Sequence, residues 1–181
     1  MKIIDPKAPA TNDFVKNDDI RLKGVTDFID RYGLKEPVLV FGEQAPFERK
    51  ISELYGKRFH YTNYDLNYAT PYWDWAKTLF CCEVIEHLLN PLLFFNEMRR
   101  IMADDSIVYL TYPIQPHVFW SACHFHEYDK SRFHYLLYQA RLGIVDYKEI
   151  KVWKKITGIR PIIRNTPLGR LKIQIYVLRK L

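Results

Sequence analysis

The chain has 181 residues, 48% of them hydrophobic and 27% charged, a composition that excludes a disordered polymer and allows one buried core. No apolar stretch reaches the roughly 20 residues of a membrane span, and Met1-Lys-Ile-Ile-Asp-Pro lacks the apolar run of a secretory signal, so a cytoplasmic protein with one domain over 1–181 is expected. The net charge of +6 is uneven: from Lys148 onward ten Lys or Arg face the single acid Glu149, which would steer an anionic partner to the C-terminal side.

Residues 1–16 hold two prolines and little periodicity and read as an arm. Asn17 is expected to cap a helix carrying Ile20, Val25, Phe28, Ile29 and Tyr32 inward and ending at Gly33. A strand, Val38 to Phe41, closes at Gly42. Pro46 then suits the first turn of a helix with Phe47, Ile51, Leu54 and Tyr55 on one face and Gly56 at its end. Phe59 to Tyr64 reads as a second strand ending at Asp65, 66–77 as a loop, and Thr78 to Cys82 as a buried strand. Asn90 and Pro91 mark the start of a helix with Phe94, Phe95, Met98, Ile101 and Met102 inward. Ser106 to Tyr112 is a further strand, Asp129 or Ser131 opens a helix carrying Phe133, Leu136, Leu137 and Ala140, and two strands, Ile144 to Trp153 and Leu171 to Leu178, follow. Strands alternating with helices imply a mostly parallel sheet covered on both faces. The three cysteines, Cys81, Cys82 and Cys123, are odd in number and lack metal-finger spacing, so they read as buried thiols.

In such sheets ligands sit beyond the carboxyl ends of the strands. The informative residues are therefore Gly42-Glu43-Gln44-Ala45 after the first strand, Asp65-Leu66-Asn67 after the second, and Cys82-Glu83-Val84-Ile85-Glu86-His87-Leu88 after the third. This last run, with Asn90-Pro91 and the helix ending Glu97-Met98-Arg99-Arg100-Ile101-Met102, resembles the fourth-strand motif of class I S-adenosylmethionine-dependent methyltransferases of the type 11/12 kind. Val108 to Pro113 and His124-Phe125-His126-Glu127-Tyr128 continue the resemblance in order. It implies a Rossmann-like, doubly wound, mostly parallel sheet with an antiparallel last strand. Only 18 positions separate Asp65 from Glu83, so one strand-helix unit is expected to be missing.

The resemblance also implies S-adenosylmethionine as cofactor, with S-adenosylhomocysteine as product. Phe41, Gly42, Glu43, Asp65, Leu66, Cys82 and Glu83 would form the cofactor site, Asp65 holding the ribose hydroxyls. His87, His126 and Glu127 would line the acceptor side as catalytic residues, and His124, Arg160 and Arg164 would bind a small-molecule, sugar or lipid-precursor acceptor, possibly anionic. Tyr72, Trp73 and Trp75 either wall the adenine pocket or cover a sheet edge. The glycine-rich loop departs from the family pattern: Val40 stands where an acid is usual, and Gly42 is followed by no further glycine. A non-catalytic methyltransferase-fold binding protein is therefore one alternative. The other is an RNA 2′-O-methyltransferase: small-RNA 3′-terminal enzymes resemble the chain at the same run, and that resemblance implies a divalent ion on Glu83, Glu86 and His87, at i, i+3 and i+4, with His124 or His126. The expectation is a metal-free site.

Overall fold

The computed structural model describes residues 14–42, 45–63, 65–68, 74–114, 124–153 and 170–181. Its elements in chain order are α1 (Phe14–Tyr32), β1 (Val38–Phe41), α2 (Pro46–Tyr55), β2 (Phe59–Thr62), β3 (Ala76–Cys82), α3 (Pro91–Ile101), β4 (Met102–Ile114), α4 (Lys130–Gln139), β5 (Leu142–Trp153) and β6 (Arg170–Lys180). The six strands form one sheet in the order β2-β1-β3-β4-β6-β5. From β2 to β4 every pair is parallel, while β6 runs antiparallel to both β4 and β5. The mixed sheet agrees with the expected architecture. Among the described residues β2 is the edge strand, so the strand-helix unit expected to be missing would have stood beyond it.

Alternate residues of each strand feed opposite faces, as a period of two requires. On one face Leu39, Leu79, Cys81, Val108, Leu110, Tyr112 and Tyr176 pack with Phe94, Phe95 and Met98 of α3 and Phe133 and Leu137 of α4. On the other, Val38, Val40, Phe80, Tyr109, Ile173, Ile175 and Val177 pack with Val25, Phe28 and Ile29 of α1 and Phe47 and Ile51 of α2. Stacked rings at Phe59–Phe80 and Phe80–Tyr109 run across that second face.

The helix ends follow local chemistry. Asn90 Oδ1 accepts from the Leu93 N–H at 3.1 Å and Asp129 Oδ1 from the Arg132 N–H at 2.9 Å, satisfying N–H groups that a first turn leaves open. Gly56, at φ 60°, closes α2 by donating to carbonyls of the last turn. Several expectations shift. Asn17 lies inside α1, which begins three residues earlier. Ile20 and Leu54 face solvent, because the buried stripes run through Val25–Phe28–Ile29 and Phe47–Ile51. β2 stops at Thr62, short of Asp65, and α3 passes into β4 with no loop, so Met102 begins a strand. No helix among the described residues is long and apolar enough to cross a membrane.

The ladder between β5 and β6 shifts register between Ile144 and Asp146, a bulge that turns Asp146 out toward α1. There Asp146 Oδ2 accepts from the Tyr32 hydroxyl at 2.8 Å and the Arg31 guanidinium at 2.6 Å, and Oδ1 from the Tyr147 N–H at 2.8 Å. The Tyr32 hydrogen bond, with the Tyr147 and Arg31 contacts, holds this carboxyl below its usual range. A depressed folded-state pKa gives stability that is complete above the unfolded value of about 4 and fades as pH falls through the folded value. Asp146→Asn is therefore expected to cost about 1 kcal/mol at pH 7, allowing for partial exposure, and less at an acidic pH where the carboxyl begins to protonate. Urea unfolding at both pH values checks this; an equal loss at both would assign the effect to packing.

Candidate active site

β2, β1 and β3 are parallel neighbours, so their carboxyl ends open side by side. β1 runs into Gly42, whose φ of +112° is a conformation that L side chains rarely adopt. Its N–H donates to Thr62 Oγ1, on the last residue of β2, at 2.9 Å, and among the described residues, its chain neighbours aside, no atom lies within 4 Å of where a Cβ would stand. The backbone at this strand end thus borders open space.

Glu83, just past β3, also has positive φ, at 57°. Two bonds to β4 hold it there: its N–H donates to the Thr111 carbonyl at 2.9 Å, and Thr111 Oγ1 donates to Glu83 Oε1 at 2.8 Å. The loop after β2 is tied to the same region. Asp65 Oδ1 accepts from the Asn67 N–H at 2.9 Å, and Asn67 Oδ1 accepts from the Leu89 N–H at 2.6 Å. Gly42, Asp65 and Glu83 therefore follow three adjacent strands.

The other members of the expected cofactor set take different places. Phe41 turns its ring into the core, edge-on to Phe94 at 4.9 Å, so only its backbone is left for a ligand. Leu66 packs against the α3 side of the core. Cys82 is buried on the opposite face, and burial pushes the thiols of both Cys81 and Cys82 well up. Glu43, Tyr72, Trp73, Cys123, Arg160 and Arg164 lie outside the described residues. Trp75 is 76% exposed.

On the acceptor side, Ile85–His87 forms a single 3₁₀ turn and the α-helix starts only at Pro91. The helical i, i+3, i+4 face expected for Glu83, Glu86 and His87 is therefore absent: Glu83 precedes the turn and bonds to Thr111 of β4, while Glu86 and His87 sit on the 3₁₀ turn itself. The Glu86 carbonyl accepts from the Phe125 and His126 N–H groups at 2.8 and 3.3 Å, which docks the segment before α4 onto this turn. His124 arrives with its ring centroid 4.7 Å from that of His87, edge-on, and with Nδ1 3.5 Å from Glu127 Oε1. Glu86, His87 and His124 offer ligand atoms that all lie within 4.8 Å of one another. Glu86 is almost wholly buried, and burial, with Glu83 and Glu127 adding repulsion, raises its carboxyl well above the usual range. His126 stands aside, its ring stacked on Tyr128 at 5.7 Å. The His124 side chain is only 9% exposed and the His87 side chain 40%, so His87 is the more open of the two.

One residue gave no sequence signal. Arg21 of α1 carries its guanidinium 4.0 Å above the Phe47 ring and 3.7 Å from Glu83 Oε1. It brings a cation to the strand ends from a helix that belongs to none of the strand-loop motifs.

With this geometry in hand the comparisons divide. No family model matches the chain, and no curated protein matches its sequence. Solved structures do. The 4+2 cyclase SpnF aligns with TM-score 0.63 and 12% identity over 96% of this chain and 85% of its own. The fold is that of the class I methyltransferases. Haemonchus contortus phosphoethanolamine N-methyltransferase 2, in complex with phosphomonomethylethanolamine and S-adenosylhomocysteine, aligns with TM-score 0.59 and 10% identity over 87% of this chain and 53% of that one. Coclaurine N-methyltransferase, bound to N-methylheliamine and S-adenosylhomocysteine, gives 0.58 and 9% over 87% and 72%. At such identities the likeness is one of fold, and the presence of a cyclase among these neighbours shows that methyl transfer does not follow from the fold alone.

Proposed function

We propose that the chain is an S-adenosylmethionine-dependent methyltransferase acting on a small-molecule acceptor. The observation that carries this reading is Gly42: at the switch from β1, between the neighbouring strands β2 and β3, a backbone at φ +112° presents a flank that no described residue fills. A nucleoside cofactor fits such a flank, because a Cβ there would fill the space it needs. Asp65 would then serve the ribose and Glu83 the amino-acid end. The cofactor, when bound, supplies an electrophilic methyl group. Methyl transfer is an in-line displacement that needs orientation and water exclusion more than a strong acid or base. His87, as the more open imidazole, would face the acceptor, with His126 and Glu127 contributed by the segment that docks on its turn. The Haemonchus neighbour's phosphorylated amine supports an anionic acceptor, for which Arg160, Arg164 and the rest of the basic C-terminal stretch would provide charge.

A second reading adds a divalent ion, favoured by the convergence of Glu86, His87 and His124, a donor set that suits zinc, manganese or iron. It would orient an acceptor hydroxyl, as an RNA 2′-O-methyltransferase requires. Calorimetric titration of the full chain with S-adenosylhomocysteine, and separately with Mn²⁺ or Zn²⁺ alone, tests both. Saturable binding of the nucleoside is expected at one site per chain. Its absence at millimolar ligand would leave a non-catalytic binding protein. Saturable metal binding lost in His87→Ala would establish the second reading.

A further inference from the structure

We propose that the rim at the carboxyl ends of β2, β3 and β4 is a docking surface for an anionic lipid bilayer. Three separate segments bring exposed apolar side chains to this rim. Tyr68, which follows β2, is 82% exposed; Leu89 and Leu93, which follow β3, are 52% and 53% exposed; and Phe125, before α4, is 57% exposed. Backbone bonds tie the three segments together. The Leu89 N–H donates to Asn67 Oδ1 at 2.6 Å, and the Phe125 N–H donates to the Glu86 carbonyl at 2.8 Å. From Leu88 to Asn96 no residue carries a charge. Single apolar residues on a surface need no explanation, but a set converging from three segments marks a contact surface. His87 stands inside the rim, between Glu86 and Leu88, so a bilayer seated there would meet the candidate site.

The charge beside this rim points to the partner. β5 ends and β6 begins at the same end of the sheet: Lys172 lies opposite Ile114, the last residue of β4, and Lys151 lies opposite Lys172. Ile114 packs against the α3 side of the core, and cross-strand partners share a face, so both lysines stand on the side of the sheet that carries α3. Glu149 Oε1 holds Lys172 Nζ at 2.9 Å, whereas Lys151 is exposed and, among the described residues, in no ion pair. In sequence, the stretch from Lys151 to Lys172 has seven Lys or Arg and no acid, interleaved with Trp153, Ile156, Ile159, Ile162 and Ile163. Cations interleaved with large apolar residues suit the interface of an anionic bilayer, where apolar groups enter the acyl boundary and cations meet the phosphates. A second copy of this chain would set like charges against each other, and a nucleic acid would leave the apolar rim in water. A bilayer with anionic headgroups satisfies both features at once. The docking does not rest on the methyltransferase reading.

The test is flotation of the full chain with vesicles of phosphatidylcholine alone and of phosphatidylcholine with about 30% phosphatidylglycerol. Partitioning onto the anionic vesicles is expected to exceed that onto the neutral ones by at least about tenfold, and to fall as salt rises from about 0.1 to about 0.5 M. Leu93→Ser combined with Phe125→Ser should weaken it by about tenfold or more, and Lys151→Gln by about fivefold. Leu54→Ser removes a comparably exposed apolar side chain at the opposite end of the sheet, where α2 closes before β2, and should leave binding within about twofold. Binding to neither vesicle, equal binding to both, or binding that survives the double variant and yields only to salt overturns the proposal. So does an equal loss in Leu54→Ser. Self-association in sedimentation velocity that the double variant abolishes, without vesicle binding, assigns the rim to a second copy and overturns it as well. If circular dichroism shows the double variant unfolded, Phe125→Ser alone carries the test with a loss of about threefold, and undiminished binding overturns the proposal. Calorimetry with S-adenosylhomocysteine reads the methyltransferase proposal separately from all of these outcomes.

Discussion

Phe133→Ala should lower the free energy of unfolding by about 3 to 5 kcal/mol, the cost of emptying a fully buried aromatic site. Phe133 is the point at which α4 meets three other elements. Its ring lies 4.5 Å from Tyr112 of β4, 5.0 Å from Tyr176 of β6 and 6.2 Å from Phe95 of α3, with Tyr128 at 5.6 Å from the segment before α4. Tyr112 and Tyr176 are themselves stacked at 6.0 Å, so two strands share one aromatic wall. Large, rigid rings held from several sides cannot collapse into the vacated volume, which places the loss toward the upper part of the range. With total stabilities of about 5 to 15 kcal/mol for folded domains, the variant would sit near its unfolding threshold. A fall in melting temperature of about 10 °C or more is expected, against a few degrees for Phe133→Leu, which keeps most of the volume. Similar small shifts for both would mean that α4 is held by its cap and its β5 contacts instead.

This core was readable in the sequence wherever a local signal and the tertiary requirement coincided. Phe133 and Leu137 are one turn apart, Asp129 sits where a cap belongs, and Ile173, Ile175 and Val177 alternate onto one face of β6; each took its expected place. The misses have physical causes. Ile20 and Leu54 fit a helical stripe by spacing, but which edge of an apolar stripe is buried depends on the crossing of the helix over the sheet, which spacing does not encode. The run from Glu83 to His87 offers side chains at helical intervals, yet Pro91 with Asn90 is the stronger start signal, and the preceding residues form only a 3₁₀ turn. Phe41 lies next to a glycine at a strand end, and strand alternation directs its ring to the α3 side, leaving its backbone for a ligand. Arg21 was invisible because a lone arginine on an amphipathic helix reads as solvent-exposed; only the packing of α1 brings it to Phe47 and Glu83.

Gly42→Val is expected to remove nucleoside binding while leaving a folded protein. The two effects separate because the surroundings of Gly42 separate them. Among the described residues, its chain neighbours aside, no atom stands near the position of a Cβ, so a side chain clashes with none of them. The cost to folding comes from φ +112°, which a β-branched residue does not adopt, and amounts to about 1 to 3 kcal/mol of backbone strain. Relief requires rotation of the peptide that now donates to Thr62 Oγ1, which would shift the end of β1 against β2. For a ligand the situation is reversed. The isopropyl group would occupy the open flank itself, and the rotated backbone would no longer present the same face. A loss of about 3 kcal/mol, roughly a hundredfold in affinity, is expected for S-adenosylhomocysteine. Gly42→Ala should fall between, sharing the strain but filling less space. Calorimetry supplies the affinities and urea unfolding the stabilities. If Gly42→Val loses about 1 to 3 kcal/mol of stability yet binds S-adenosylhomocysteine as the wild type does, the open space beside β1 is not the cofactor site, and the methyltransferase reading loses the observation that carries it.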